Sequence, residues 1–159
     1  NNKMSFLRFD IPSSITNSHK IKLNLVVDGD STLDGGIAIH KYDQLGWGES
    51  PDNKNIGIID HTLGATIATL TSQANGTTVW DNGTAQSLDN GTILSIDLTD
   101  KITSYGGEYS VAIRVLETTD KVTFFSKEKL LTDGRHSYGV NYGKGYAPQK
   151  NVWPNISFQ

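Results

Sequence analysis

Two adjoining segments, Glu108–Leu116 and Lys121–Lys127, carry a strong β-forming pattern that limits the folds open to this chain. Both are rich in β-branched and aromatic residues, and the turn-like residues 117–120 between them predict a hairpin. The apolar set of the first segment alternates with small or polar residues: Tyr109, Val111, Ile113 and Val115. Because successive side chains of a strand point to opposite faces, this set is predicted to face the core. The opposite face then presents Arg114 to solvent.

The same alternation predicts further strands along the chain. It is cleanest in His19–Asp28, and the other predicted strands are Met4–Ile11, Ile37–Tyr42, Ile56–Ile59, Ala65–Leu70, Thr77–Trp80, Thr92–Leu98 and a closing Asn155–Phe158. Three Asn-Gly pairs, at positions 75–76, 82–83 and 90–91, predict tight turns because Asn and Gly tolerate positive φ. After Asp97 we expect one helical turn, capped by Thr99 or Asp100.

The predicted fold class is all-β, an antiparallel β-sandwich of jelly-roll type. Eight to ten strands are expected, without βαβ alternation, internal repeat or linker, so residues 1–159 are predicted to form a single domain. A content of 16 glycines and few helix formers also favours short strands joined by turns.

Charge and composition exclude several classes of function. A formal net charge of −3 argues against a nucleic-acid-binding surface. The absence of Cys excludes disulfides and thiolate metal sites. No apolar run has the length of a membrane-spanning helix, so no membrane span is expected.

No cofactor is expected, and the only candidate metal site is an acidic turn containing Asp28, Asp30 and Asp34. The spacing resembles part of a calcium loop but lacks the downstream bidentate Glu of an EF-hand. A plain acidic turn is the favoured interpretation, and structural calcium is the alternative.

Five residues suited to binding an acidic sugar fall on the predicted solvent faces of their strands. They are Arg8, Lys22, His40, Tyr42 and Arg114. An acidic polysaccharide requires Arg and Lys to pair with its carboxylates, and rings or amides to contact its sugars. If these strands are neighbours in one sheet, the five residues form a basic strip on an acidic protein. The alternative is an ordinary solvated face.

The segment Lys129–Lys150 is a second candidate binding site. It has no periodicity, and loops of this length in compact domains are usually functional or mobile. It combines cations with rings: Arg135, His136, Tyr138, Tyr142, Lys144 and Tyr146. Exposed contacts of this kind contribute about 0.2–1 kcal/mol each and weaken with salt. Packing of the tyrosines onto the sandwich, with no ligand, is an equally open interpretation.

Catalysis is not predicted. Tyr and His can act as acid and base in uronate lyases, and His136 and Tyr138 have suitable chemistry. However, the histidines, at positions 19, 40, 61 and 136, form no close motif, and no Gly-x-Ser-x-Gly motif is present. The chain is therefore predicted not to be an enzyme.

Several spaced fragments resemble the recurring segments of one known family. They are Ser5–Ile11 with the following Pro-Ser-Ser, Trp47–Ser50, Ile96–Thr99, Phe125–Glu128 and the closing Pro154–Phe158. In this order they make the chain similar to the DNRLRE-type modules. That family consists of β-sandwich domains attached to secreted bacterial polysaccharide-degrading enzymes and surface proteins, and it includes alginate-binding members.

The resemblance implies a non-catalytic carbohydrate-binding module, secreted or located at the bacterial cell surface. Its implied partners are an alginate-like acidic polysaccharide and an attached catalytic domain. It adds support for Arg8, in the first matching fragment, and brings in Lys127, in Phe125–Glu128. Two other functions stay open: a structural spacer or adhesion domain of a surface protein, and a small uronate polysaccharide lyase.

Overall fold

The part of the chain that can be described consists of strands, turns and connecting segments. In the computed structural model it comprises residues 4–29, 31–33, 35–43, 62–117, 119–124 and 154–159. Its nine strands are β1 (Met4–Ile11), β2 (Ile21–Val26), β3 (Ile37–Lys41), β4 (Thr66–Ser72), β5 (Thr78–Trp80), β6 (Ala85–Gln86), β7 (Ile93–Asp97), β8 (Gly107–Val115) and β9 (Asn155–Phe158). These residues include no helix, and so none long and apolar enough to cross a membrane. The prediction of an all-β chain is confirmed, while the predicted strand Ile56–Ile59 lies outside the described residues.

The strands form two antiparallel sheets. A six-stranded sheet has the order β1-β8-β3-β4-β5-β6, and a three-stranded sheet has the order β7-β2-β9. One of the two curls into half a barrel, and the arrangement is consistent with a β-sandwich. The last strand, β9, pairs with β2 and so closes the small sheet as predicted.

The predicted alternation is confirmed in both sheets. Tyr109, Val111 and Ile113 of β8 are buried, and the apolar face of the β2 segment is buried as well, comprising Ile21, Leu23, Leu25 and Val27. Complete burial of one such aliphatic side chain contributes roughly 1.5–3 kcal/mol, so this shared core fixes which face of each strand turns inward. On β8 it fixes Arg114 on the opposite face.

The predicted hairpin of Glu108–Leu116 with Lys121–Lys127 is wrong within the described residues. Both edges of β8 are already occupied, one by β1 and the other by β3. The following segment pairs elsewhere, through single bridges from Lys121 to Thr32 and from Phe124 to Val27. Because a strand has only two edges, β8 has none left for its sequence neighbour. Residues 125–127 lie outside the described residues.

The turns follow the predicted chemistry in three places and depart from it in one. Gly76, Gly83 and Gly91 have φ values of 80°, 86° and 85°, so the Asn-Gly turns are confirmed. After β7, the Leu98 carbonyl accepts from the amides of residues 101 and 102, which closes a single turn. The predicted cap at Thr99 or Asp100 is wrong, because the Asp97 carboxylate accepts from the Thr99 amide at 2.9 Å.

Candidate functional site

The fold brings four of the five strand candidates onto one surface. Since β1, β8 and β3 are neighbours, Arg8, Arg114, His40 and Tyr42 lie on the same side of the six-stranded sheet. We call this side, turned away from the main core, the outer face; it consists of Met4, Phe6, Arg8, Ser110, Ala112, Arg114, Ala38, His40 and Tyr42. Lys22 does not share this face, because β2 belongs to the other sheet.

The two arginines of the outer face are well separated. Arg8 lies opposite Ser110, whereas Arg114 lies opposite Met4 at the other end of the pairing between β1 and β8. The two positions are four residues apart along the strand, which corresponds to about 13 Å. The rings of Phe6 and Tyr42 meet between them, with centroids 4.9 Å apart and planes tilted by 59°. The predicted continuous basic strip is therefore replaced by two cationic positions with an aromatic pair between them.

His40 and Tyr42 do not face solvent, contrary to the prediction. They have the predicted strand parity, but only 7% of His40 and 1% of Tyr42 are exposed. Tyr42 and the fully buried Ala112 form a second apolar cluster, against which Phe6 and Leu63 pack. The small side chain at position 112 leaves room over β8 that the neighbouring rings fill. Alternation alone identifies two faces but not whether the second one is covered.

Arg114 has a distinctive environment. Its Nε donates to His40 Nε2 at 3.0 Å, and its side chain is only partly exposed. No described residue accepts a hydrogen bond from its Nη groups, and no described carboxylate pairs with it. Arg8 differs, because its Nε lies 3.5 Å from a Glu108 carboxylate oxygen. Of the two arginines on the outer face, Arg114 therefore has the guanidinium better suited to meet an external anion.

His40 is held in turn by the end of the adjacent strand. Its Nδ1 lies 3.2 Å from the Gly64 carbonyl and 3.4 Å from Thr66 Oγ1. A β-bulge makes this possible: Ile39 pairs with Ala68, but His40 pairs with Thr66, so one residue of β4 is skipped. Gly64 was not among the predicted site residues, and no sequence signal identified it.

Lys22 lies on the three-stranded sheet, beside a residue of opposite charge. It pairs across the sheet with Asp97 on one side and Ser157 on the other. Hydrogen bonds from the Thr99 hydroxyl and amide lower the pKa of Asp97 most, burial opposes them, and the charges of Lys22 and Lys20 make smaller contributions that also lower the pKa. The charge of Lys22 is thus partly neutralised within the protein.

The described residues line two concave regions, and Arg114 of the outer face contributes to the lining of the first. A cleft of about 140 Å³ has an apolar lining that includes Ile37, Val122 and Phe124, together with Ser5, Lys121 and Thr123. Its Asp120 carboxylate is already bonded to the Gly35 and Gly36 amides. A shallower groove of about 410 Å³ beside β5 and β6 includes Asp89 and no cation in its lining, so it does not suit an acidic ligand.

The second predicted site lies outside the described residues. This applies to the loop residues Arg135, His136, Tyr138, Tyr142, Lys144 and Tyr146, and to Lys127. It also applies to Asp30 and Asp34 of the acidic turn. Within the described ranges, no three His, Cys, Asp or Glu side chains are grouped closely enough to hold a metal ion. Comparison with family models, curated proteins and solved structures yields no match for this chain.

Proposed function

We propose that this protein is a non-catalytic module that binds an acidic, alginate-like polysaccharide through the outer face of its six-stranded sheet. The observation that carries the proposal is the Arg114 guanidinium, which is partly exposed, held at Nε by His40, and without a carboxylate partner among the described residues. A guanidinium group is well suited to bind an acid, because it can donate two parallel N–H···O bonds to a carboxylate. A uronate carboxylate is the ligand group with matching charge and shape.

The charge distribution supports a polymer rather than a small anion as ligand. Arg8 and Arg114 lie about 13 Å apart on one face, so a single sugar acid would meet one of them and a chain could meet both. Each exposed contact contributes only about 0.2–1 kcal/mol. Repeated weak contacts along a polymer combine through a high effective concentration. This suits a module that keeps an attached polysaccharide-degrading enzyme beside its substrate.

The proposal includes a secreted or cell-surface location in bacteria and a jelly-roll arrangement of the two sheets. The antiparallel pairing throughout both sheets supports the jelly roll. The absence of Cys is compatible with a secreted domain whose stability comes from packing and hydrogen bonds.

Affinity electrophoresis against alginate, pectin, hyaluronan and a neutral glucan tests the function. We expect selective retardation by an acidic polymer that decreases at high salt, where the screening length shortens from about 10 Å at 0.1 M to about 3 Å at 1 M. Arg114→Ala should reduce the retardation, and Arg8→Ala should reduce it less because Arg8 already pairs with Glu108. Lys22→Ala, which removes the same charge from the other sheet, should leave it unchanged.

Three results would contradict the proposal, two of them its function and one its binding site. Absence of retardation by every polymer, with the fold retained, would favour a structural spacer or adhesion domain. Ultraviolet-absorbing unsaturated products released from alginate would instead identify a uronate lyase. An equal loss of retardation in Arg114→Ala and Lys22→Ala would show that the protein binds the polymer but not specifically through the outer face.

A further inference from the structure

The hydrogen bonds of His40 define its protonation state. A carbonyl oxygen can only accept, so the bond of 3.2 Å to the Gly64 carbonyl requires a proton on Nδ1. Arginine Nε can only donate, so the bond of 3.0 Å from Arg114 requires a lone pair on Nε2. One form satisfies both bonds, the neutral imidazole protonated at Nδ1. His40 therefore donates to the Gly64 carbonyl through Nδ1 and accepts from the Arg114 guanidinium through Nε2.

The backbone around His40 is shaped to make this link. The bulge between β3 and β4 sets His40 opposite Thr66, and bulges commonly redirect a side chain beside a functional site. Gly64 can approach only because it lacks a side chain: a Cβ there would lie 2.8 Å from the Lys41 carbonyl oxygen. The Gly64 amide donates to that same carbonyl at 2.9 Å, which fixes the position of the peptide. His40 itself is more than nine-tenths buried.

We propose that His40 is a positioning residue that orients Arg114 to receive a carboxylate end-on, through its two Nη groups. The inference rests on the proposed binding of an acidic polysaccharide. Because Nε is occupied by His40, the side-on approach through Nε and one Nη is unavailable. The end-on fork is the bidentate geometry that remains. A histidine that binds a metal ion is oriented in the same way, by a hydrogen bond from its other ring nitrogen. For His40, the group that accepts this orienting bond is the Gly64 carbonyl.

Loss of His40 should release Arg114 to several rotamers, which must then be ordered when ligand binds. Ordering one flexible side chain at an interface weakens affinity by about two- to tenfold. We therefore expect His40→Leu to weaken binding to the retained acidic polymer by that factor while the net charge stays the same. His40→Gln can accept from Arg114 and donate to Gly64, so it should restore most of the affinity.

The test combines nitrogen-15 NMR with binding by the same variants. In the wild-type protein we expect His40 to carry its proton on Nδ1 and the Arg114 Nε–H to exchange slowly with water. His40→Leu should accelerate that exchange. In a double-mutant cycle, the double variant His40→Leu with Arg114→Lys should lose less binding free energy than the sum of the losses in the two single variants, because both changes disrupt the same hydrogen-bonded pair. Thermal unfolding of each variant establishes that the fold is retained.

The outcomes separate the two proposals. A proton on Nε2 of His40, or wild-type affinity in a folded His40→Leu protein that still depends on Arg114, would overturn the positioning role and leave the proposed function intact. Absence of wild-type binding to any acidic polymer would overturn the proposed function and with it the role of His40 in ligand binding. Reduced affinity in His40→Leu, rescued in His40→Gln, would support both.

Discussion

The Asp120 carboxylate accepts a hydrogen bond from the Gly36 amide at 2.8 Å, across 84 residues of sequence. The same carboxylate accepts from the Gly35 amide at 3.1 Å. These bonds join the loop before β3 to the segment that follows β8, next to the bridge between Lys121 and Thr32. This link directs the chain after β8 away from the hairpin that its sequence predicts.

Replacing Asp120 should destabilise the protein. Only 6% of Asp120 is exposed, and Asp120→Ala leaves the two amides without their charged acceptor. We expect the free energy of unfolding to fall by about 2–3 kcal/mol in urea denaturation. Asp81→Ala is a matched control, because that exposed carboxylate accepts one bond, from the Thr69 amide, and should cost under about 1 kcal/mol. Equal losses in the two variants would contradict the structural role of Asp120.

Gly36→Ala should be far more damaging than Gly76→Ala. Gly36 has a φ of +132°, and an added Cβ would lie 2.4 Å from the Leu70 carbonyl oxygen. Gly76 has a φ of +80° but no atom within 4 Å of an added Cβ. Both variants acquire backbone strain of about 1–2 kcal/mol, and only Gly36→Ala also clashes with main chain. A similar fall in melting temperature for both would show that the backbone around Gly36 is not tightly packed.

Asp97 should make stability depend on pH in the acidic range. Hydrogen bonds from the Thr99 hydroxyl and amide, then the charges of Lys22 and Lys20, lower the pKa of Asp97 in the folded state. The folded state therefore releases the proton more readily than the unfolded state. The resulting stabilisation is present above the ordinary carboxyl pKa of about 3.9 and is lost as pH falls through the lowered folded value.

Urea denaturation from neutral pH to about pH 2 checks this effect, since the lowered pKa lies below about 3.9. Asp97→Asn should remove part of the acid-dependent loss seen in the wild-type protein. Thr99→Val should reduce the same pH dependence while keeping the carboxylate. An unchanged pH profile in Asp97→Asn would contradict the predicted contribution of this carboxyl group.

Tyr109 should make stability decline in alkali. Burial, with a further contribution from the charge of Asp43, raises the pKa of Tyr109 to about 12. The unfolded chain ionises this phenol near pH 10, so stability is expected to fall as pH rises above about 10. Tyr109→Phe should abolish that part of the decline. Because the buried hydroxyl has no hydrogen-bond partner among the described residues, the variant should also be about 1 kcal/mol more stable at neutral pH.

Predictions about individual strands held where they depended on local sequence alone. β2 illustrates this, because its alternating Leu23 and Leu25 are fully buried as expected, whereas Lys22 and Asn24 are only partly buried. Predictions that combined strands were less successful. Alternation predicts one strip for Lys22 and Arg114 only if their strands are neighbours, and the two residues belong to different sheets. Strand pairing depends on contacts between distant segments, which a single alternating pattern does not encode.

The candidate site was predictable in part. Arg114 was identified from its position on the solvent parity of a core strand, and the structure gives it the same face. His40 was also identified, but its burial, its bulge and its bond to the Gly64 carbonyl were not. These properties arise where β3, β4 and β8 meet, so no one segment contains them.

Sequence by itself determined the all-β character, the inward face of the core strands and the Asn-Gly turns, because alternation and positive φ are properties of adjacent residues. Tertiary structure alone decided that β8 lies between β1 and β3, that Tyr42 is buried on the second face, and that His40 reaches Arg114. Those outcomes depend on which distant strands pair with each strand edge and on how neighbouring side chains fill the space above the sheet. Both are decided only when the whole chain packs.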